Sequence, residues 1–190
     1  MPVQQGSLPI VCDDALGPAF ALGQGVAAPA IKAFVGVTRL LTFTAGDSMD
    51  FAVQFPHDFH FPSSGNVTLR PHVHWTFVNE PADAKAVIWE IEYVYAKGGT
   101  TLGTAGTFGA STTPLTATAY TTGGGAEVRK HLITSLGDIT IAASDLSPSW
   151  ILVGRLILKA TSTIGAGAVG LLSFDIHYQK GPVGTVAEFA

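Results

Sequence analysis

Three pairs of titratable residues are spaced two apart in segments where apolar and polar residues alternate. The pairs are His72 with His74, Glu90 with Glu92, and Asp175 with His177. Side chains two residues apart on a β-strand lie on the same face, so each pair would project together from one sheet. Imidazole and carboxylate groups arranged in this way can bind a metal ion, transfer protons or form ion pairs with one another.

A metal site is the first of three alternatives for these pairs. His72 and His74 could combine with Glu90 or His177 into a ligand set that zinc, iron or manganese accepts. Against this, any polar strand face has the same spacing, and the sequence contains no HExxH, facial-triad or CxxC signature. We therefore expect no metal and no other cofactor.

Acid–base catalysis by Glu90 and Glu92 is the second alternative. The two carboxylates would point the same way, but the sequence offers no nucleophile elbow and no diagnostic arrangement of Ser, His and Asp. We therefore expect no catalytic residue and no enzymatic activity.

The third alternative, which we favour, is a cross-strand network of opposite charges, in which His72, His74 and Arg70 or Arg155 face Glu90, Glu92 and Asp175 on neighbouring strands. Such a network fixes strand register and, where a neighbouring subunit covers it, the choice of partner. The residues expected to form it, at a subunit interface, are Arg70, His72, His74, Glu90, Glu92, Arg155, Asp175 and His177.

The elements that must position these side chains are β-strands. Alternation from Arg39 onward predicts eight strands, near residues 40–44, 49–55, 67–77, 87–96, 115–121, 128–135, 150–159 and 169–179. Turns rich in glycine separate them, and no helical pattern intervenes. The sequence therefore predicts an all-β protein, a jelly-roll-like antiparallel β-sandwich over residues 39–190.

The apolar side of each strand is expected to form the core. Trp75, Trp89 and Tyr93 fall on that side, as do Leu172 and Phe174 in the last strand. A carbohydrate-binding surface would instead need several exposed aromatic residues on one face.

Residues 1–38 are expected to form an extended N-terminal arm. Prolines and glycines recur there, and no period typical of a strand or helix persists. Because the segment is apolar, unlike a disordered tail, it should lie on its own domain or on a neighbouring subunit. Phe20, Ile31 and Phe34 are predicted to anchor it.

Charge and composition exclude several kinds of partner. The net charge is −4, and the 10 Lys and Arg residues are scattered, so the basic stripe needed to bind nucleic acid is missing. Cys12 is the only cysteine, which precludes an intrachain disulfide. A signal peptide begins with a positively charged region, but no basic residue precedes Lys32. The longest weakly polar stretch, 163–174, is too short to span a bilayer. We expect a protein made in the cytoplasm, with no membrane insertion.

Three separated blocks carry a resemblance to a known family. They are Pro71-His72-Val73-His74-Trp75, Trp89-Glu90-Ile91-Glu92-Tyr93 and Phe174-Asp175-Ile176-His177-Tyr178-Gln179. In this order they resemble a family of small virion proteins encoded in the structural modules of tailed phages and prophages. The similarity spans about residues 69–179 and does not include the arm. It implies a component of a phage particle.

Tailed-phage cement or decoration proteins are commonly small β-rich trimers that clamp adjacent major capsid subunits, and the resemblance extends this expectation to the present chain. Independently, a charged fraction of only 13% and an apolar arm are expected of a subunit whose exterior is largely covered. We expect a homotrimeric cement protein that binds the major capsid protein on the capsid exterior of the virion. The alternatives are a tail, tail-spike or fibre component, a carbohydrate-binding β-sandwich, and a cupin-like metalloenzyme.

Overall fold

The computed structural model describes residues 11–16, 27–56, 59, 62, 64–79, 85–99, 106–121, 128–164 and 169–180, with the backbone alone for 11–16 and 180. Regular structure in these ranges is β-strand, apart from one 3₁₀ turn at Ala143–Asp145. The expectation of an all-β sandwich is confirmed. No helix in the described part of the chain has the length and apolar character needed to cross a membrane.

The described ranges contain thirteen strands, numbered in chain order. They are β1 (Val11–Leu16), β2 (Ala30–Ala33), β3 (Arg39–Phe43), β4 (Ser48–Gln54), β5 (Asn66–Phe77), β6 (Ala86–Val87), β7 (Trp89–Ala96), β8 (Thr113–Thr116), β9 (Tyr120–Thr121), β10 (Leu132–Ser135), β11 (Ile139–Ala142), β12 (Ile151–Leu158) and β13 (Val169–Lys180).

Eight of these strands form two sheets that pack face to face. The larger sheet has the order β10-β5-β13-β3 and is extended at one edge by β2, while the smaller sheet has the order β4-β12-β7-β8. Successive strands of this set mostly alternate between the sheets, which is the double-sheet arrangement of a jelly roll. Each of the eight predicted segments overlaps one of these strands.

The apolar faces of the two sheets form one continuous core. Phe51 of β4 and Phe174 of β13 meet between the sheets, with ring centroids 4.7 Å apart. Trp75 and Trp89 are fully buried and Tyr93 is nearly so, as their alternation predicted. These three aromatic residues therefore cannot provide a sugar-binding surface.

A β-bulge in β13 corrects one predicted core position. Leu171 pairs with Trp75, and Ser173 pairs with His74, so Leu172 is an extra residue without a counterpart. The sequence placed Leu172 in the core, and this prediction is wrong: Leu171 is buried and Leu172 is exposed. The insertion reverses the alternation at this point, as a bulge must.

Two stretches of the predicted arm, residues 1–38, form β-strands, although no strand pattern was predicted there. β1 pairs with β13 from Val11 to Leu16, and β2 pairs with β3. Both strands thus lie on the chain's own larger sheet. All four side chains of β2 are exposed. Because neither face of β2 is buried, its sequence does not show the alternation of apolar and polar residues by which a strand is predicted. Pairing through the backbone needs no such pattern.

Candidate functional site

The two sheets divide the predicted charge network into two separate surfaces. The outer face of the larger sheet, called here the histidine face, carries Arg70, His72, His74, Asp175 and His177; the outer face of the smaller sheet, called the carboxylate face, carries Glu90, Glu92 and Arg155. Two of the predicted pairings are present, that of the histidines with Asp175 and that of Arg155 with Glu92. The pairing of the histidines with Glu90 and Glu92, and of Arg155 with Asp175, is wrong, because these residues lie in different sheets. β5 and β7 are close in sequence, but a jelly roll places them in different sheets.

Asp175 is the centre of the histidine face. It lies directly opposite His72 in the register of β13 and β5, and the distance from His72 Nδ1 to Asp175 Oδ1 is 3.9 Å. His74 Nε2 lies 3.0 Å from Asp175 Oδ2. The Asp175 side chain is only 7% exposed, so imidazole rings rather than water surround most of the carboxylate.

A second histidine extends this contact toward the edge of the sheet. His131 Nε2 lies 2.7 Å from His74 Nδ1, and the two rings stack with centroids 4.9 Å apart. His131, His74 and Asp175 thus form one chain of polar contacts. The local sequence does not indicate this contact, because His131 reaches His74 only through the pairing of β10 with β5.

His177 completes a compact group with His72 and Asp175. Its ring centroid is 4.3 Å from that of His72. One potential ligand atom from each of the three residues can be chosen so that all lie within 4.8 Å of one another. Two imidazoles and one carboxylate are a donor set found in proteins that bind divalent transition metals.

Arg70 lies at the margin of the histidine face. Its Nε is 3.3 Å from Asp138 Oδ1, and both side chains are more than half exposed. An ion pair of this kind contributes little to stability, since water screens it on most sides. Asp138 was not among the predicted site residues.

On the carboxylate face, Arg155 is held by a residue that the sequence analysis did not single out. Its Nε donates a hydrogen bond to Asp50 Oδ1 at 2.8 Å, and Glu92 lies directly opposite Arg155 in β7. The hydrogen bond to Asp50 raises the pKa of Arg155. Partial burial acts to lower this pKa, but the negative charges of Asp50 and Glu92 also raise it, so the pKa is raised. The three residues line a shallow cleft of about 360 Å³.

Glu90 is also paired with a cation. Lys159 Nζ lies 2.6 Å from Glu90 Oε2, and the Thr116 hydroxyl donates a hydrogen bond to the same oxygen. Burial acts to raise the pKa of Glu90, but the hydrogen bonds from Lys159 and Thr116 and the Lys159 charge outweigh it, so the pKa is lowered. Glu90 is thus an anion held in a buried position.

The β2–β3 hairpin is the third surface of interest. Its turn is ordered by two backbone bonds, from Phe34 N–H to Thr38 O at 3.0 Å and from Thr38 N–H to Val35 O at 2.9 Å. Gly36 has φ of 57°, a conformation that costs other residues free energy. The turn therefore presents its side chains in one defined arrangement.

The tip of this hairpin, defined as residues 35–37, is apolar and exposed. Val37 is 99% exposed, and Val35 is exposed beside it. Of the predicted arm anchors, Ile31 lies exposed on β2 and Phe34 is half-buried, whereas Phe20 lies outside the described residues.

Comparisons of the chain with protein-family models, with curated proteins and with solved structures find no match.

Proposed function

We propose that this chain is a non-enzymatic structural protein of a phage virion, a cement protein that binds the exterior of the assembled head and holds major capsid subunits together. The observation that carries the proposal is the β2–β3 hairpin, whose apolar tip and outer strand are exposed. The blocks at 71–75, 89–93 and 174–179, which resemble small phage virion proteins, support it from the sequence.

The exposed hairpin has the properties of a contact element. Full burial of a valine side chain is worth about 1.5–3 kcal/mol, and Ile31, Val35 and Val37 all lie on this one hairpin. β2 also ends the larger sheet in its strand order, and an edge strand can accept a further strand from a partner through backbone hydrogen bonds. A capsid subunit would supply both kinds of contact.

The proposal includes a homotrimer, in which each protomer presents one hairpin to a different capsid subunit. Once one hairpin is bound, the others bind at a high effective concentration, so three modest contacts give tight attachment. A protein that binds only the assembled lattice stabilises that lattice by mass action. The low charged fraction of 13% fits a subunit with much of its surface covered.

Binding to empty heads tests this proposal. Purified protein is mixed with expanded and with unexpanded heads of the parent phage, and the bound copies are counted after sedimentation. We expect saturable binding to expanded heads only, and hundreds of copies per virion. Failure to bind expanded heads refutes the proposal, and a dozen or fewer copies per virion would indicate a tail or portal position instead.

A further inference from the structure

We propose that the histidine face binds one divalent transition-metal ion, of the zinc class, through His72, Asp175 and His177. This inference is independent of the virion role, and it replaces the expectation, drawn from the sequence, that no metal is bound. It rests on the placement of three ligands, two histidines and one aspartate, which the pairing of β5 with β13 brings together.

The strand register brings the three residues to one point. His72 and Asp175 are directly opposed across β5 and β13, and His177 is two residues further along β13 on the same face. Directly opposed side chains have Cβ atoms about 4.5–5.5 Å apart, and residues two apart on a strand are separated by roughly 6.6 Å. Side chains of this length can therefore converge above the sheet, as the potential ligand atoms within 4.8 Å of one another show.

The state of Asp175 supports a cation at this point. Within the described part of the chain, its Oδ1 is buried and makes no hydrogen bond, while His74 holds its Oδ2 at 3.0 Å. A buried carboxylate oxygen without a donor costs free energy. A metal ion between Oδ1 and the neighbouring imidazoles would supply the missing partner.

His74 and His131 are placed to hold the proposed ligand Asp175 in position. Residues that ligate a metal in proteins are themselves held by hydrogen bonds that fix their orientation. His74 would hold the Asp175 carboxylate, and His131, 2.7 Å from His74, would hold His74. Their contacts leave the Oδ1 edge of the carboxylate directed toward His72.

The donor set selects the class of metal. Two imidazole nitrogens and one carboxylate oxygen suit Zn²⁺ and the neighbouring first-row divalent ions, whereas Ca²⁺ takes six to eight oxygen ligands. Ligands about 2.0–2.2 Å from a tetrahedral ion lie roughly 3.4 Å from one another. From their present separation of up to 4.8 Å, the ligand atoms would need to approach one another by up to about 1.4 Å, through rotation of their side chains. A tetrahedral ion would have a fourth position, which water or a ligand from a partner would fill.

Metal titration of the purified full chain tests the proposal. Metal is removed with a chelator, Zn²⁺ affinity is measured by competition with a chromophoric chelator, and Co²⁺ is added separately to record its visible absorption. We expect one ion per chain and Co²⁺ bands typical of nitrogen and oxygen ligands. His177→Gln and His72→Gln should each weaken Zn²⁺ binding more than about 100-fold, and His74→Gln about 10–100-fold, as outer-shell changes do.

Asp138→Asn is the matched control for Asp175→Asn, because Asp138 is a carboxylate in the turn between β10 and β11 and pairs with Arg70 at the exposed margin. It should leave Zn²⁺ affinity unchanged. The two histidine variants keep the test decisive if Asp175→Asn does not fold. The proposal is overturned if the parent chain shows no saturable binding at one ion per chain, or if the ligand variants bind Zn²⁺ as tightly as the parent chain does.

Discussion

Val37→Asp is the most direct test of the hairpin as a capsid contact. Val37 is 99% exposed at the hairpin tip, so the folded chain gains almost nothing from its side chain. Aspartate is also well tolerated in turns. The free energy of unfolding of the isolated protein should therefore change by less than about 0.5 kcal/mol.

The effect on binding follows from the area that a partner would cover. If a capsid subunit buries Val37 completely, the side chain contributes about 1.5–3 kcal/mol, which corresponds to a change in Kd of roughly 10- to 150-fold. Aspartate adds the cost of placing a charge in the contact. The Kd for expanded heads should thus rise at least tenfold, and Val37→Ala, which removes two methyl groups, should raise it by about tenfold.

The assay is sedimentation of a fixed amount of expanded heads with increasing protein, alongside thermal unfolding of each variant. Ile133→Asp is the matched control, because Ile133 is 54% exposed on β10, at the opposite edge of the larger sheet. It should bind expanded heads like the parent chain. Unchanged binding of Val37→Asp, or an equal loss in Ile133→Asp, would show that the hairpin tip is not the contact.

Three further predictions concern the framework that holds these surfaces. Lys159→Met should destabilise the fold by about 1–3 kcal/mol at pH 7, because it leaves the buried Glu90 anion with one hydrogen-bond donor fewer. Since the pKa of Glu90 lies below its usual 4.5, its contribution is complete above that pH and is lost as the pH falls through the lowered value, so urea unfolding should show a weaker acid dependence in the variant. Thr134→Val should cost about 1–3 kcal/mol, because the buried indole N–H of Trp75 loses its acceptor at 2.8 Å; a loss below 0.5 kcal/mol would indicate that water replaces the hydroxyl. Gly154→Ala should cost about 1–3 kcal/mol in the same measurement, because an added Cβ would collide with the backbone of β7, and an unchanged midpoint would mean that β7 moves aside freely.

The faces of the strands were predictable because burial imposes a strict period of two. In β5, Val73 and Trp75 are fully buried, so His72 and His74 had to point outward. The same rule placed Asp175 on the outer side of β13, because its neighbours Phe174 and Ile176 are buried. The face of the sheet on which a side chain lies can thus be predicted from the local sequence alone.

Partners across strands were not predictable, because local patterns do not specify which strands are neighbours. β5 pairs with β13 and not with β7, so His72 meets Asp175 rather than Glu90. His131 and Lys159 join their clusters through the same long-range pairings. The bulge at Leu172 was not predictable for a related reason. One extra residue reverses which side chains of a strand point to the core, and the composition of the strand does not show it.

The position of β13 has a consequence for how the chain folds during synthesis. Among the described strands it comes last in chain order, yet it lies between β5 and β3 and also pairs with β1. Until it emerges from the ribosome, β3 and β5 each lack a neighbour, and their open edges can pair with other nascent chains. Completion of the larger sheet must therefore wait until β13 has been synthesised, and a truncation before Val169 would release a protein that exposes two unfilled strand edges.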